Sequence, residues 1–424
     1  MKPAGAGPLA GRTAGTLGLY AAFGCLGYLL TALGAILPEL REERGLPRTE
    51  AALYPSAFAL GLVVVGLTGH RAAERLGRAG IPVALAALVG GAALLAVSGG
   101  RLGTAAGALV LGLGGAGLVQ LVPTALRAAH RGDGTIQIGE ANAVSSAASV
   151  LSPILIGAAL AHGLGWRTAF AAPPLLAAAA LLVLVRPHRI PAGVDLAPAL
   201  PPRSAPVGAA AGAQPTDAGP AEVGPTGAGP ADAESAGAGR GGTGFWGRWV
   251  DLVLAVGVEF CMVFWAADFL GSAKGLGSGA AATLSAGFVL GMAAGRAVAG
   301  PVVRRGGRPD RLLALAAAVG IGGFAVLWTS PAPVAVAGLV VTGLGVALLY
   351  PVILGQALAA RPSEPARAAA RCALASGVAI GVAPLVLGAL ADLTTLRAAV
   401  FVAPVLLLAL LARCGRRLRT GPVS

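Results

Sequence analysis

The chain has 424 residues, 56% hydrophobic and only 12% charged, with a mean hydropathy of +0.79 and a net charge of +13. A soluble domain carries roughly 25% charged residues, so this balance excludes an ordinary water-soluble enzyme and makes lipid the solvent. The bases stand in short clusters between apolar runs, without interleaved aromatics. That is the pattern of a membrane protein's loops, and it excludes a nucleic-acid groove.

A membrane-crossing helix needs about 20 mostly apolar residues. The first half predicts six, over 14–37, 50–69, 81–99, 104–126, 136–161 and 168–187. The first is too long for the apolar core of a leader peptide and is read as a membrane helix. Residues 188–247 then change character. Pro, Gly and Ala dominate, large aliphatics are scarce, and the segment cannot bury enough apolar surface to offset its chain entropy. It is read as a flexible linker between residues 1–187 and 248–424. The second half predicts six more spans, over 249–270, 279–301, 310–329, 333–358, 366–391 and 396–414. Lipid excludes open sheets, so the class is all-α, with twelve transmembrane helices. With the N-terminus inside, alternate loops hold roughly 23 Arg and Lys inside against 7 outside, which places both termini in the cytoplasm.

The two halves repeat each other. Arg75, Gly77 and Arg78 follow the second span, and Arg305, Gly307 and Arg308 follow the eighth. Pro153, Gly157 and Arg167 in the first half match Pro384, Gly388 and Arg397 in the second. The offsets agree at 230 or 231 (305 − 75 and 397 − 167 are 230, 384 − 153 is 231). Informative residues at one offset indicate a duplicated six-helix unit in parallel orientation.

Six plus six helices, a central cytoplasmic linker and a basic 2–3 loop resemble the major facilitator superfamily of secondary transporters. The family's loop signature is G-x-x-x-D-R-x-G-R-R/K. Glu74, Arg75, Gly77 and Arg78 fill its acidic, Arg, Gly and Arg positions, while His70 replaces the first Gly and Ala79 the last base. The second copy keeps Gly300 but has Arg304 for the acid. Gly165–Arg167, between spans 5 and 6, also follows the family pattern. The resemblance implies two pseudo-symmetric six-helix bundles around a midplane cavity, and a loop motif that latches the cytoplasmic ends. Glu74 would do so at the start of span 11, after Ser363, Glu364 and Pro365; the plainer alternative is a solvated basic loop.

Individual side chains then become candidates. Glu259 lies near the middle of span 7, where a charge costs roughly 2.5–3.5 kcal/mol unless protonated, paired or hydrated. A carboxyl moving between wet and dry surroundings changes its affinity for protons, so Glu259 is the expected proton-coupling group. The alternative is a permanently neutral acid bonded to a neighbouring helix. Asp268, about 180° round the helix, is expected at the outer interface. Cavity candidates are Tyr28, Gln120, Asn142, Ser145, Ser149, Trp265, Tyr350 and Gln356; small polar residues of this kind also serve as glue between helices. Arg296 is expected near the cytoplasmic end, snorkelling to the interface.

These features predict a monomeric transporter of the cell membrane. It moves a small molecule by alternating access, coupled to protons or another ion, with efflux antiport favoured. Drug–proton antiporters of the family usually carry an Arg within helix 4 and G-P-x-x-G-G in helix 5. This chain lacks that Arg and keeps only Pro153 and Gly157 of the second motif. Val256–Glu259 is similar to sugar permeases, so uptake of a sugar or other metabolite is the alternative. A non-transporting membrane receptor or scaffold is the alternative of another class. No nucleotide, metal or hydrolase motif occurs, which predicts neither cofactor, metal nor enzymatic activity. Cys25, Cys261, Cys372 and Cys414 have no metal-like spacing and are expected to be free thiols.

Overall fold

The computed structural model describes residues 13–130, 134–184, 230–304 and 308–420, with side chains at 69–74, 78, 135, 182–184, 230–243, 299–304, 365–366 and 420 left out. Among these residues every regular element is helical. The first half comprises α1 (Ala14–Arg44), α2 (Arg48–Leu76), α3 (Gly80–Val97), α4 (Arg101–Ala129), α5 (Thr135–Ala161) and α6 (Trp166–Leu184). The second comprises α7 (Pro230–Ser272), α8 (Ser278–Arg304), α9 (Pro309–Thr329), α10 (Ala332–Val346), α11 (Leu349–Ala359), α12 (Pro365–Leu393), α13 (Leu396–Ala399) and α14 (Val402–Thr420).

Helices α10 and α11 form one crossing, as do α13 and α14. Among the described residues eleven stretches are long and apolar enough to cross a membrane, and α6 completes six crossings per half. An even number of crossings puts the two chain ends at one face of the bundle, the basal end; the opposite face is the apical end.

Local chemistry sets the boundaries. Thr13 caps α1 by accepting the Thr16 N–H at 3.2 Å. α1 stops at Gly45, whose φ of 58° is left-handed and costs glycine nothing. The α10/α11 and α13/α14 breaks, unforeseen in the sequence, share one cause. Pro351 and Pro404 each stand four residues after the point of interruption, at Ala347 and Val400. A proline removes its own N–H and its ring crowds the carbonyl four residues back. Helix α7 begins at Pro230, earlier than expected, so residues 230–247 of the expected linker are helical. Phe245 explains the last turn of that extension: it is fully buried, under the Arg361 guanidinium. The rest of the linker, 188–229, lies outside the described residues, as do residues 185–187 of the expected sixth span.

The repeat seen in sequence is also a repeat of packing. In the first half α1 packs on α5, α3 on α4, and α2 on α4; in the second, α7 packs on α12, α9 on α10, and α8 on α10. Glycines make matched close approaches. Gly112 lies against the backbone of Phe58, and Gly343 against that of Phe288. The offsets are 343 − 112 = 231 and 288 − 58 = 230. Without a hydrophobic drive inside lipid, helices associate through such close van der Waals contact. The halves meet through α2 with α12, α5 with α8, and α1 with α7. The first two contacts are exchanged by the repeat.

Candidate functional site

The two halves are tied together at the apical end. Asp268, near the end of α7, is buried and takes both Arg48 Nε (2.9 Å) and Nη2 (3.3 Å) from the start of α2. Arg41 Nε stands 3.9 Å from the same carboxylate. Asp392, at the end of α12, accepts the backbone N–H groups of Arg48 (2.9 Å) and Thr49 (2.7 Å) and the Thr49 hydroxyl (2.6 Å). An acid from one half therefore caps a helix of the other, where backbone donors and the helix dipole favour negative charge. Deeper in, the Ser56 hydroxyl donates to the Gly381 carbonyl at 2.7 Å. Gly157 seats on Gly279 and Thr283, while Gly388 seats on Arg48 and Ala52. These two contacts are repeat-related, since 388 − 157 and 279 − 48 both equal 231. A cavity of about 460 Å³ lies at this end, bordered by Glu39, Glu42, Asp268 and Ser272.

The charged site of the interior is Glu259 with Arg296. Glu259 stands fifteen residues from Gly244 and thirteen from Ser272, in the middle of its span. Its Oε1 accepts Arg296 Nη2 at 3.3 Å. The carboxylate side chain is 16% exposed and the guanidinium side chain 43% exposed. This departs from the expected snorkelling of Arg296. The reason is depth: Arg296 is eighteen residues from Ser278, five more than Glu259 is from Ser272, or about 7.5 Å further along. A long Arg side chain spans that difference and offsets the cost of an unpaired carboxylate. Tyr350 of α11 is near enough to feel the charges of this pair, and Ser376 and Cys372 of α12 act on it as well. Ser376 Oγ in turn donates to the Cys372 carbonyl at 3.3 Å. Glu259 and Tyr350 thus come together as candidates, and Arg296 and Ser376 join them from outside the expected set.

Most of the other cavity candidates have hydrogen-bond partners elsewhere. The Tyr28 hydroxyl is buried and donates to the Ala169 carbonyl of α6. Trp265 is buried, its Nε1 donating to the Pro384 carbonyl at 3.1 Å and its ring lying against Gly388. Ser149 Oγ donates to the Gly27 carbonyl at 2.9 Å, and Gly27 also packs on Ser145. Ser152 and Thr31 share a 2.8 Å hydrogen bond. The polar stripe of α5 therefore binds α1. Gln120 Nε2 is exposed and reaches the Val65 carbonyl at 3.4 Å, and Asn142 bonds Ile138 in its own helix at 2.8 Å. Gln356 is half-buried, and its Oε1 has no hydrogen-bond partner. Of the loop motif, Arg75, Gly77 and Arg308 are exposed, and Gly77 has a left-handed φ of 47°. Arg305 and Gly307 lie outside the described residues, as do the side chains of Glu74 and Arg78, and Gly300 is described only as part of α8.

A second charged cluster closes the basal end of the second half. Asp251 is fully buried among Arg413 (Nε to Oδ1, 2.5 Å), Arg417 and Arg248, the last at 3.6 Å. Arg248 also grips Asp310 through two nitrogens, at 2.7 and 3.0 Å. This network joins α7, α9 and α14 and is a staple. All four cysteines are buried free thiols. Among the described residues no group of three His, Cys, Asp or Glu side chains gathers to hold a metal ion.

The sequence model of the Major Facilitator Superfamily matches residues 19–357. No curated protein matches the sequence. Solved structures do match in fold. A bacterial homologue of the human lysosomal transporter Spinster, inward-facing and occupied, is 14% identical over 96% of each chain, with a TM-score of 0.70. The nucleoside transporter NupG is 13% identical over 94% of this chain and 99% of its own, at 0.69. A D-xylose–proton symporter is 15% identical over 94% and 96%, at 0.64.

Proposed function

Since the chain belongs to the Major Facilitator Superfamily and is a membrane transporter of that kind, we propose that it is a proton-coupled secondary carrier of the cell membrane, with Glu259 as its proton-binding group. The observation that carries this reading is the buried mid-span carboxylate held by one 3.3 Å contact to Arg296. An acid so placed gains or loses a proton only as its surroundings or its partner change, and alternating access changes both. The apical ties support a state closed at that end, with the Glu259 pair reached from the basal side. The excess of arginine in the basal loops supports a cytoplasmic basal end and cytoplasmic termini. The duplicated units then rock about the pair as two bodies: residues 1–187, and a second body in which α7 starts earlier than residue 248, joined by the remaining linker.

Proteoliposomes carrying a pH-sensitive dye inside provide the test, with D-xylose, uridine and D-gluconate as probes. The wild type is expected to move protons with one of these probes. Glu259→Gln should lose that proton movement while retaining exchange of the same probe across the bilayer. Proton coupling that persists in Glu259→Gln removes the proposed role. Ligand binding without flux of any probe favours the receptor reading.

A further inference from the structure

The duplication, at an offset of 230 or 231, places Leu29 or Tyr28 where the second half has Glu259, and Gly66 or Val65 where it has Arg296 (259 − 230 = 29, 259 − 231 = 28, 296 − 230 = 66, 296 − 231 = 65). The charged pair was thus not dictated by the packing that the halves share. It is also lopsided. Glu259 is nearly enclosed, whereas Arg296 is 43% exposed and offers one nitrogen to the carboxylate at 3.3 Å. A guanidinium has five N–H donors in a planar fork that matches a carboxylate through two parallel bonds. By contrast Arg48 uses Nε and Nη2 together on Asp268. Among the described residues, the Arg296 fork is therefore left largely unspent beside Glu259. The groups beside it, Tyr350 and Ser376, add hydroxyls and no charge.

We infer that Arg296 is the substrate-anchoring residue, that the substrate class is a small organic monocarboxylate, and that Glu259 is the resident counter-ion which such a substrate displaces. This deepens the transport reading above and rests on it for the direction of movement only. Charge balance carries the argument. The pair is neutral as it stands, one carboxylate against one guanidinium. An arriving R–COO⁻ takes Arg296 N–H donors, and Glu259, left without its partner in an apolar span, accepts one proton on a carboxylate oxygen from a hydronium ion of the adjoining aqueous phase, which leaves as water. The site then holds R–COO⁻, Arg⁺ and a neutral acid, and is neutral again. One proton accompanies one anion, which makes the coupled movement symport. The charged group that faces Glu259 is Arg296 on α8, and Tyr350 on α11 is close enough to feel the carboxylate. The α1 and α14 charges nearest α7 are engaged at the ends: Arg41 at Asp268, and Arg413 and Arg417 at Asp251. Among the described residues, no further carboxylate or imidazole stands beside Glu259 to take the proton in its place.

The experiment uses the full chain in detergent, so it needs no flux. The probe is acetate, the smallest carboxylate that still has a carbon substituent; acetamide is its neutral isostere, and chloride and inorganic phosphate are the other arms. Acetate, unlike acetamide or chloride, is expected to raise the unfolding temperature of the wild type. With 13C-labelled acetate, infrared difference spectra should show a new protonated-carboxyl band that is absent in Glu259→Gln. Glu259→Gln, whose Arg296 has no counter-ion, should bind acetate about tenfold tighter than the wild type, equivalent to about 1.4 kcal/mol. Arg296→Gln should lose the response. The double variant Glu259→Gln, Arg296→Gln leaves no unpaired charge to unfold the protein and should also be silent.

The assignment is overturned if acetate does not stabilise Glu259→Gln beyond acetamide, or if the double variant responds as the wild type does. Phosphate stabilising Glu259→Gln where acetate does not overturns the carboxylate class. Binding to the wild type without the protonated-carboxyl band overturns the displacement of Glu259. Absence of transport with these binding results intact would instead sink the transporter reading alone.

Discussion

At the scale of single residues, what separates the site from the scaffold is how completely each charge is satisfied. Asp251 is fully buried and meets three arginines, two of which also hold Asp310. Removing one partner of such a network leaves the others uncompensated, at a cost of about 3–5 kcal/mol. Asp251→Asn should therefore lower the unfolding temperature in detergent by several degrees; an unchanged midpoint would show that Asp310 suffices for all three arginines. Glu259 has one contact at 3.3 Å, whereas Asp251 has two shorter ones, to Arg413 and Arg417, and a third at 3.6 Å; that difference sets the proposed working group apart from the staple. The sequence exposed Glu259 because an acid in an apolar run is conspicuous. It concealed Arg296 as the partner because the match depends on α7 and α8 being neighbours and on comparing depth from their shared turn. It concealed Arg48 likewise, since a base in a loop looks like an ordinary interfacial charge.

At the scale of elements, apolar runs of about 20 residues marked the spans well, because lipid imposes that length. They did not mark the breaks at Pro351 and Pro404, because most prolines inside these helices, such as Pro38 and Pro384, leave the helix continuous. Nor did they say what a polar stripe faces. Ser145, Ser149 and Ser152 were legible as one side of α5, but only the packing shows that side against α1. The end of α2 that meets Asp392 is a sharper case. Three donors from Arg48 and Thr49 converge on one carboxylate of the opposite half, at 2.6–2.9 Å. An exposed cap and dipole contact of this kind is worth about 1 kcal/mol. Asp392→Asn keeps the shape and removes the charge, so the apically open population should rise about fivefold. The modification rate of a cysteine replacing Ala52, which packs against Gly388, reads that population. A rate equal in both backgrounds would show that the Arg48–Asp268 pair alone holds the end shut.

At the scale of the whole molecule, the proposed rocking motion requires the apical contacts to break while the contacts within each half persist. The two kinds differ in construction. Within a half, glycines such as Gly112 and Gly343 bring backbones together over long crossings, and such interdigitated surfaces separate only as a whole. Between halves, a few polar ties of the first turns of α2 are joined by two repeat-related glycine seats, at Gly157 and Gly388. A rocking motion can release this set from one side. The ties should therefore be lockable. With Thr49→Cys and Asp392→Cys, oxidation should join the halves where the Thr49 N–H now lies 2.7 Å from Asp392. The native cysteines are buried, so they offer little competition. Flux into proteoliposomes should fall to the leak level on oxidation and return on reduction. Acetate stabilisation in detergent should survive in the locked form, because Glu259 and Arg296 lie on one side of the tie, both within the second half. Undiminished flux in fully crosslinked protein would mean that the apical end need not open, and rigid rocking of the two halves would then be the wrong description of this carrier.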